Sequence, residues 1–103
     1  MEYRTYFGKI RTGKQREYIE AHKAVWPELL EVMRQAGVNR ESCFVLEDYV
    51  VVYVEADNIK ATMDQLAENP INQRWDSFME DILERPISNS PDLFPEMIEV
   101  FRM

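Results

Sequence analysis

Two hydrophobic periods take turns along this chain, and the switches between them outline its elements. Residues 2–10, EYRTYFGKI, mix aromatic and polar side chains and predict a first strand. Thr12 with Gln15 three positions on matches a capping box, in which each side chain reaches the other residue's backbone N–H, so a helix is expected to start there. Ile19, Val25, Leu29, Leu30, Val32 and Met33 then recur at helical spacing, and Gly37 stands where a left-handed cap would close the run. Pro27 breaks the pattern. It lacks an N–H and crowds the preceding turn, which predicts a kink or short break around Val25 to Pro27.

The period then shortens. SCFVL (42–46) and YVVVYVEA (49–56) are β-branched and aromatic and predict an antiparallel hairpin across Glu47 and Asp48. The second strand is so uniformly apolar that both of its faces should be covered, one of them by helices. Asp57 is placed to cap a helix through Glu68, and Asn69 with Pro70 closes it and opens another. Ile71, Trp75, Phe78, Met79 and Ile82 fall on one face of that piece, and the carboxylates of MEDILE (79–84) read as its solvated side. ERPISNSPDLFP (84–95) holds three of the five prolines and predicts an excursion without a helix, whose lack of regular pattern suits a segment that crosses to a neighbouring subunit. MIEVFRM (97–103) reads as a final strand.

Strand, helix, hairpin, helix pair, strand is the order of the ferredoxin-like α+β fold, an antiparallel sheet with helices on one face. At 103 residues, 1–103 is read as a single domain. The sheet's second face would leave the apolar side of YVVVYV in water, so a homodimer packed through sheet faces is expected.

Charge narrows the partners. Nineteen acidic against twelve basic residues, a net charge of −7, repel nucleic acid and anionic membrane surfaces and leave a neutral small molecule open. Cys43, the only cysteine, cannot form an internal disulfide and points to a reducing cytoplasm; no secretory leader or run of about 20 apolar residues is visible. One histidine and one cysteine cannot build a structural zinc site, so no metal is assigned, and no glycine-rich phosphate loop or G-x-S-x-G elbow is present.

The candidate chemistry lies in REYIEAHKAVWPEL (16–29). Tyr18, His22 and Trp26, four residues apart, form one stripe if the helix survives Pro27. An imidazole exchanges protons at neutral pH, a phenol donates a hydrogen bond, and an indole offers a flat apolar wall; together they suit a polyhydroxylated ring. Taken alone, the pattern equally allows a structural histidine with Trp75 as core packing and Cys43 as an inert buried thiol.

The arrangement EYxxxHxxxWPEL, followed by QRW (73–75), NSP (89–91) and EVF (99–101), resembles the L-rhamnose mutarotase family over essentially the whole chain, with a small length difference in the hairpin. The resemblance implies a dimeric α+β barrel that interconverts the α and β anomers of a free 6-deoxy sugar without a cofactor. It implies His22 as the proton donor, Tyr18 as a sugar contact and Trp75 as the first of two adjacent binding-site tryptophans. Asp76 occupies the second position, and Ser42 stands where the family has another sugar-contacting tyrosine. A carboxylate and a hydroxyl in place of two rings would make the pocket roomier and more polar, which bears on the choice between L-rhamnose and a sugar such as L-fucose. A cofactor-free monooxygenase on a related barrel, or a non-catalytic binding module, are the readings set against an isomerase.

Overall fold

A computed structural model describes residues 1–103. Strand β1 (Glu2–Ile10) leads into helices α1 (Gln15–Lys23) and α2 (Pro27–Gln35), then strands β2 (Val38–Leu46) and β3 (Tyr49–Ala56). Helices α3 (Ile59–Glu68) and α4 (Pro70–Glu80) follow, and two short strands, β4 (Leu83–Glu84) and β5 (Glu96–Met97), end the order. The sheet is antiparallel, ordered β2-β3-β1-β4, with β5 on the same side of β1 as β4 but further along it. This is the ferredoxin-like architecture expected from the sequence.

Pairing fixes which residues share a face. Gly8 sits opposite Val50, Tyr6 opposite Val52 and Arg4 opposite Val54. Glu41, Cys43 and Val45 pair with Val54, Val52 and Val50 on the other side of β3. All of these look toward the helices, because side chains alternate across a strand. Beneath them Ile10, Tyr18, Val50, Met79, Ile82 and Leu83 form the main core cluster, and Val54, Ala56 and Ile59 a second one. Each fully buried aliphatic side chain contributes about 1.5–3 kcal/mol as an upper bound.

The break at Pro27 is real: α1 ends at Lys23, and Pro27 takes the first position of α2, where its missing N–H costs nothing. Gly37 has φ +100, and a Cβ there would lie 3.0 Å from the Thr62 hydroxyl, which donates 2.8 Å to the Ala36 carbonyl. Asn69 closes α3 and caps α4, accepting from the N–H groups of Ile71 and Asn72.

Four local expectations are corrected. The capping box does not form: Lys14 precedes α1 without a side-chain cap, and the Gln15 amide donates 2.6 Å to the Glu47 carbonyl in the hairpin turn. Asn58, not Asp57, caps α3, since Asp57 accepts from the Asn39 amide. MEDILE is not one helix face: α4 stops at Glu80, and Glu84 lies in β4 with Lys9 at 3.1 Å. The final strand stops at Met97, because nothing in the chain covers Ile98 or Val100; beyond it Glu99 and Arg102 instead gather the Tyr3 hydroxyl. The 85–95 excursion returns to its own sheet, where the Phe7 N–H donates 2.9 Å to the Pro95 carbonyl. No helix is long and apolar enough to cross a membrane.

Candidate active site

Between the inner face of the sheet and the helices lies a hollow of about 720 Å³, within the range of small-molecule sites. His22, Tyr18, Trp75 and Asp76, all singled out from the sequence, line it together with Glu41 and Cys43. Helix α1 supplies the first two side chains, α4 the next two and β2 the last pair. Leu93 and Phe94 close one end.

Tyr18 is buried, with 2 % of its surface exposed, and its ring stacks on the His22 imidazole with centroids 4.1 Å apart. One turn of helix puts the His22 Nδ1 2.8 Å from the Tyr18 carbonyl oxygen. A carbonyl only accepts, so Nδ1 carries a proton and Nε2 is the nitrogen left for a ligand. Burial lowers the His22 pKa, partly opposed by that hydrogen bond, so the resting ring is neutral with Nε2 unprotonated, a state that accepts a proton before it can act as the donor the resemblance implies. The edge of Trp75 meets the imidazole at 5.4 Å and a plane angle of 81°.

Trp26 does not line the hollow. It packs behind Trp75, edge to face at 5.1 Å, is stacked on Phe78 at 5.9 Å, and carries the Arg74 guanidinium over its outer side. The sequence stripe therefore divides at Pro27 into two residues that border the hollow and one that braces its wall. Ser42 departs further from expectation: it pairs with Tyr53 on the opposite face of the sheet, so its hydroxyl cannot reach a ligand in the hollow.

The inward residue at that level is Glu41, which the pattern reading missed. Alternation carried the signal, since Glu41 is in phase with the inward Cys43 and Val45. The residue is exposed at the mouth of the hollow, while the protein around its carboxyl partly desolvates it. That desolvation, with Asp76 as a second and smaller cause, pushes its pKa up to about 7. Asp76 is also raised, by burial and then by Glu80. Burial pushes the Cys43 thiol up to about 11 and raises the Tyr18 phenol as well, so both stay protonated. No three His, Cys, Asp or Glu side chains are grouped to hold a metal ion.

Helix-borne histidine, indole wall and desolvated carboxyl around a sugar-sized hollow define an acid–base site on a ferredoxin-like α+β sheet. The chain belongs to the L-rhamnose mutarotase family, whose model matches residues 5–103. It is 34 % identical over 99 residues to the L-rhamnose mutarotase of a Jannaschia species, covering 92 % of this chain and 91 % of that one. To the Listeria monocytogenes serotype 4b L-rhamnose mutarotase it is 38 % identical over 81 residues, 77 % of each chain. The crystal structure of the Formosa agariphila L-rhamnose mutarotase superposes with a TM-score of 0.79 at 30 % identity, covering 100 % of this chain and 99 % of that one. Tetracenomycin F2 cyclase from Streptomyces glaucescens shares the fold, with a TM-score of 0.72 at 16 % identity.

Proposed function

We propose that this protein is an isomerase that interconverts the α and β anomers of a free 6-deoxyhexose, L-rhamnose, by acid–base opening and closing of the ring. The observation that carries the reading is the His22 imidazole, fixed through Nδ1 to the Tyr18 carbonyl and edged by Trp75, with Nε2 available at the wall of the hollow. Mutarotation needs a proton removed from the anomeric hydroxyl and one delivered to the ring oxygen. His22 serves one of these oxygens, the Trp75 ring covers a C–H face of the sugar, and Tyr18 holds the imidazole in place. A positioned acid–base group contributes roughly 10²–10⁴ in rate, enough for a reaction that already proceeds in water.

Family membership supports the reaction class, and the names of the relatives supply the sugar. The test is saturation-transfer NMR on free sugars, in which irradiating one anomeric proton and watching the other reports exchange directly. Accelerated exchange of L-rhamnose, lost in a folded His22→Asn protein, is the expected result. Preference for L-fucose would change the substrate and keep the reaction; no acceleration of any sugar would remove the function, and oxygen uptake with an aromatic substrate would replace it.

The working unit in this reading is a cytoplasmic homodimer. On the outer face of the sheet Phe44 and Leu46 are 58 % and 76 % exposed beside Phe7, Tyr49 and Val51, an apolar surface that a second copy would cover. A monomer by sedimentation at micromolar concentration would remove that part of the proposal.

A further inference from the structure

Glu41 is exposed at the mouth of the hollow, yet the register of β2 turns its side chain inward with Cys43 and Val45. It takes part in no ion pair, and no lysine or arginine lines the hollow. A carboxyl that the sheet turns into a cavity beside a histidine, with no cation there to pair it, points to chemistry rather than packing. Its position is also the useful one. Strands β1, β3 and the edge strand β2 form the floor of the hollow, while α1 brings His22 from one wall and α4 brings Trp75 and Asp76 from the other. Glu41 thus opens onto the same hollow as His22 on one wall and Asp76 on the other.

The geometry points to Glu41 as the second proton-transfer group of this site: its carboxyl and the His22 Nε2 act together on the two oxygens bonded to the anomeric carbon. The inference rests on the mutarotase reading and completes it. The carboxylic acid form of Glu41 gives its proton to the ring oxygen while Nε2 takes the proton of the anomeric hydroxyl. The bond from C1 to the ring oxygen breaks and its electron pair goes to that oxygen, and the C1 carbonyl forms. After rotation about C1–C2 the ring oxygen attacks the other face of C1, returns its proton to Glu41, and the new anomeric hydroxyl recovers its proton from His22. Nothing is oxidised, and no proton is gained or lost over the cycle.

The neighbouring charges assign the roles. Tyr18 and His22 share the hollow with Glu41 from α1, Tyr6 from β1, Cys43 from its own strand, and Asp76 and Glu80 from α4, while α2, α3 and the 85–95 segment contribute only uncharged residues; Arg4, on the same inner face of β1, stands two strands away across Val54, outside the hollow and 3.9 Å from Glu96. Tyr18 and Cys43 stay protonated and uncharged, so the carboxyls of α4 are the charged groups in this set. Desolvation first, and Asp76 second, favour the protonated form of Glu41, while burial keeps His22 neutral, so up to about pH 7 the mobile proton sits on Glu41 rather than on His22.

The deciding experiment is the anomeric exchange measurement from about pH 5 to 9 on wild type, Glu41→Gln and Asp76→Asn. Wild type is expected to lose activity as pH rises through about 7, where Glu41 gives up its proton. Glu41→Gln should lower exchange about 10²-fold and abolish that alkaline limb, whereas Asp76→Asn should keep it. Glu41→Gln within about threefold of wild type with the limb intact, or loss of the limb in Asp76→Asn instead, would overturn the assignment. Wild type inactive on every sugar is a different failure, that of the mutarotase reading itself. Should Glu41→Gln not fold, ¹³C-carboxyl NMR of the wild-type protein decides: a Glu41 titration near pH 7 that moves on adding L-rhamnose supports the role, and an ordinary carboxylate midpoint unaffected by sugar overturns it.

Discussion

Phe94 lies directly over Gly8, so close that a Cβ on Gly8 would come within 2.7 Å of its ring. The contact brings the far end of the 85–95 excursion back to the middle of β1 and seats Phe94 at the edge of the hollow, where its ring also meets Tyr6 at 6.4 Å. Gly8→Ala should therefore displace the Phe94 ring, costing about 1–3 kcal/mol as overpacking does. Thermal unfolding is expected to show a melting temperature several degrees lower, and amide exchange should speed up in residues 91–95 more than in α3. Unchanged exchange there would mean that Phe94 is not held by this contact.

His22 and Glu41 give stability opposite pH dependences. The folded His22 pKa lies below its ordinary 6.5, so on acidification below 6.5 the unfolded chain takes up a proton that the folded one resists, and stability falls. Glu41 rises from 4.5 to about 7, so the folded chain keeps a proton that the unfolded one has lost; its contribution is whole below 4.5 and disappears as pH climbs through 7. Glu41→Gln is expected to stabilise the protein at pH 8 by on the order of 1 kcal/mol, a figure reduced because water in the hollow screens the carboxylate. The gain should vanish near pH 4.5. Melting temperatures of the two proteins compared at both pH values check this.

The course of the chain was legible wherever a hydrophobic period ran long enough. The hairpin, the break at Pro27 and the Asn69–Pro70 junction all follow from local chemistry that tertiary contacts leave in place. Local chemistry misled where a distant partner outbid a near one: the Gln15 amide serves the Glu47 carbonyl, 32 positions away, instead of its own helix start. The last strand failed for a related reason, since β-propensity in MIEVFRM needs a neighbour and cover, and Ile98 and Val100 find neither within one chain. In the site, helical spacing located Tyr18 and His22, yet Trp26 was separated from them by the same Pro27 that the pattern had marked. Ser42 and Glu41 exchange importance because one position of register turns a side chain to the other face.

Glu47 holds φ +54 in the two-residue turn between β2 and β3, a conformation that crowds any side chain and penalises β-branched ones most. Glu47→Val should destabilise the protein by about 1–2 kcal/mol, and Glu47→Gly should leave it equal or stabilise it by about 0.5 kcal/mol. Urea midpoints for the two substitutions should thus fall on opposite sides of wild type, or nearly so; a shared direction would show that the side chain rather than the backbone matters at this turn.

Asn69 reaches the site through the helix it starts. Its side-chain oxygen accepts from the Ile71 and Asn72 N–H groups at 2.9 and 3.3 Å, and α4 then carries Trp75 and Asp76. Asn69→Ala should cost about 1 kcal/mol, whereas Asn69→Asp, which keeps an acceptor at the positive end of the helix, should cost little. Chemical denaturation measures both, and equal losses would show that the cap contributes nothing.

The two tryptophans make opposite contributions although they touch. Trp75 lines the hollow and Trp26 does not, yet the edge-to-face contact at 5.1 Å couples their orientations. Trp75→Phe shortens the surface offered to a sugar and should raise KM with a small change in melting temperature. Trp26→Ala removes the brace shared with Phe78 and Arg74 and should cost roughly 2 kcal/mol, less than a fully buried indole because its ring is only half-buried. These are the only indoles in the chain, so single-tryptophan proteins separate the two directly. Titrating L-rhamnose should shift the emission of Trp26→Phe, which retains Trp75, and leave that of Trp75→Phe nearly unchanged. A response carried by Trp26 instead would place the ligand on the far side of the aromatic wall, outside the hollow that His22 borders.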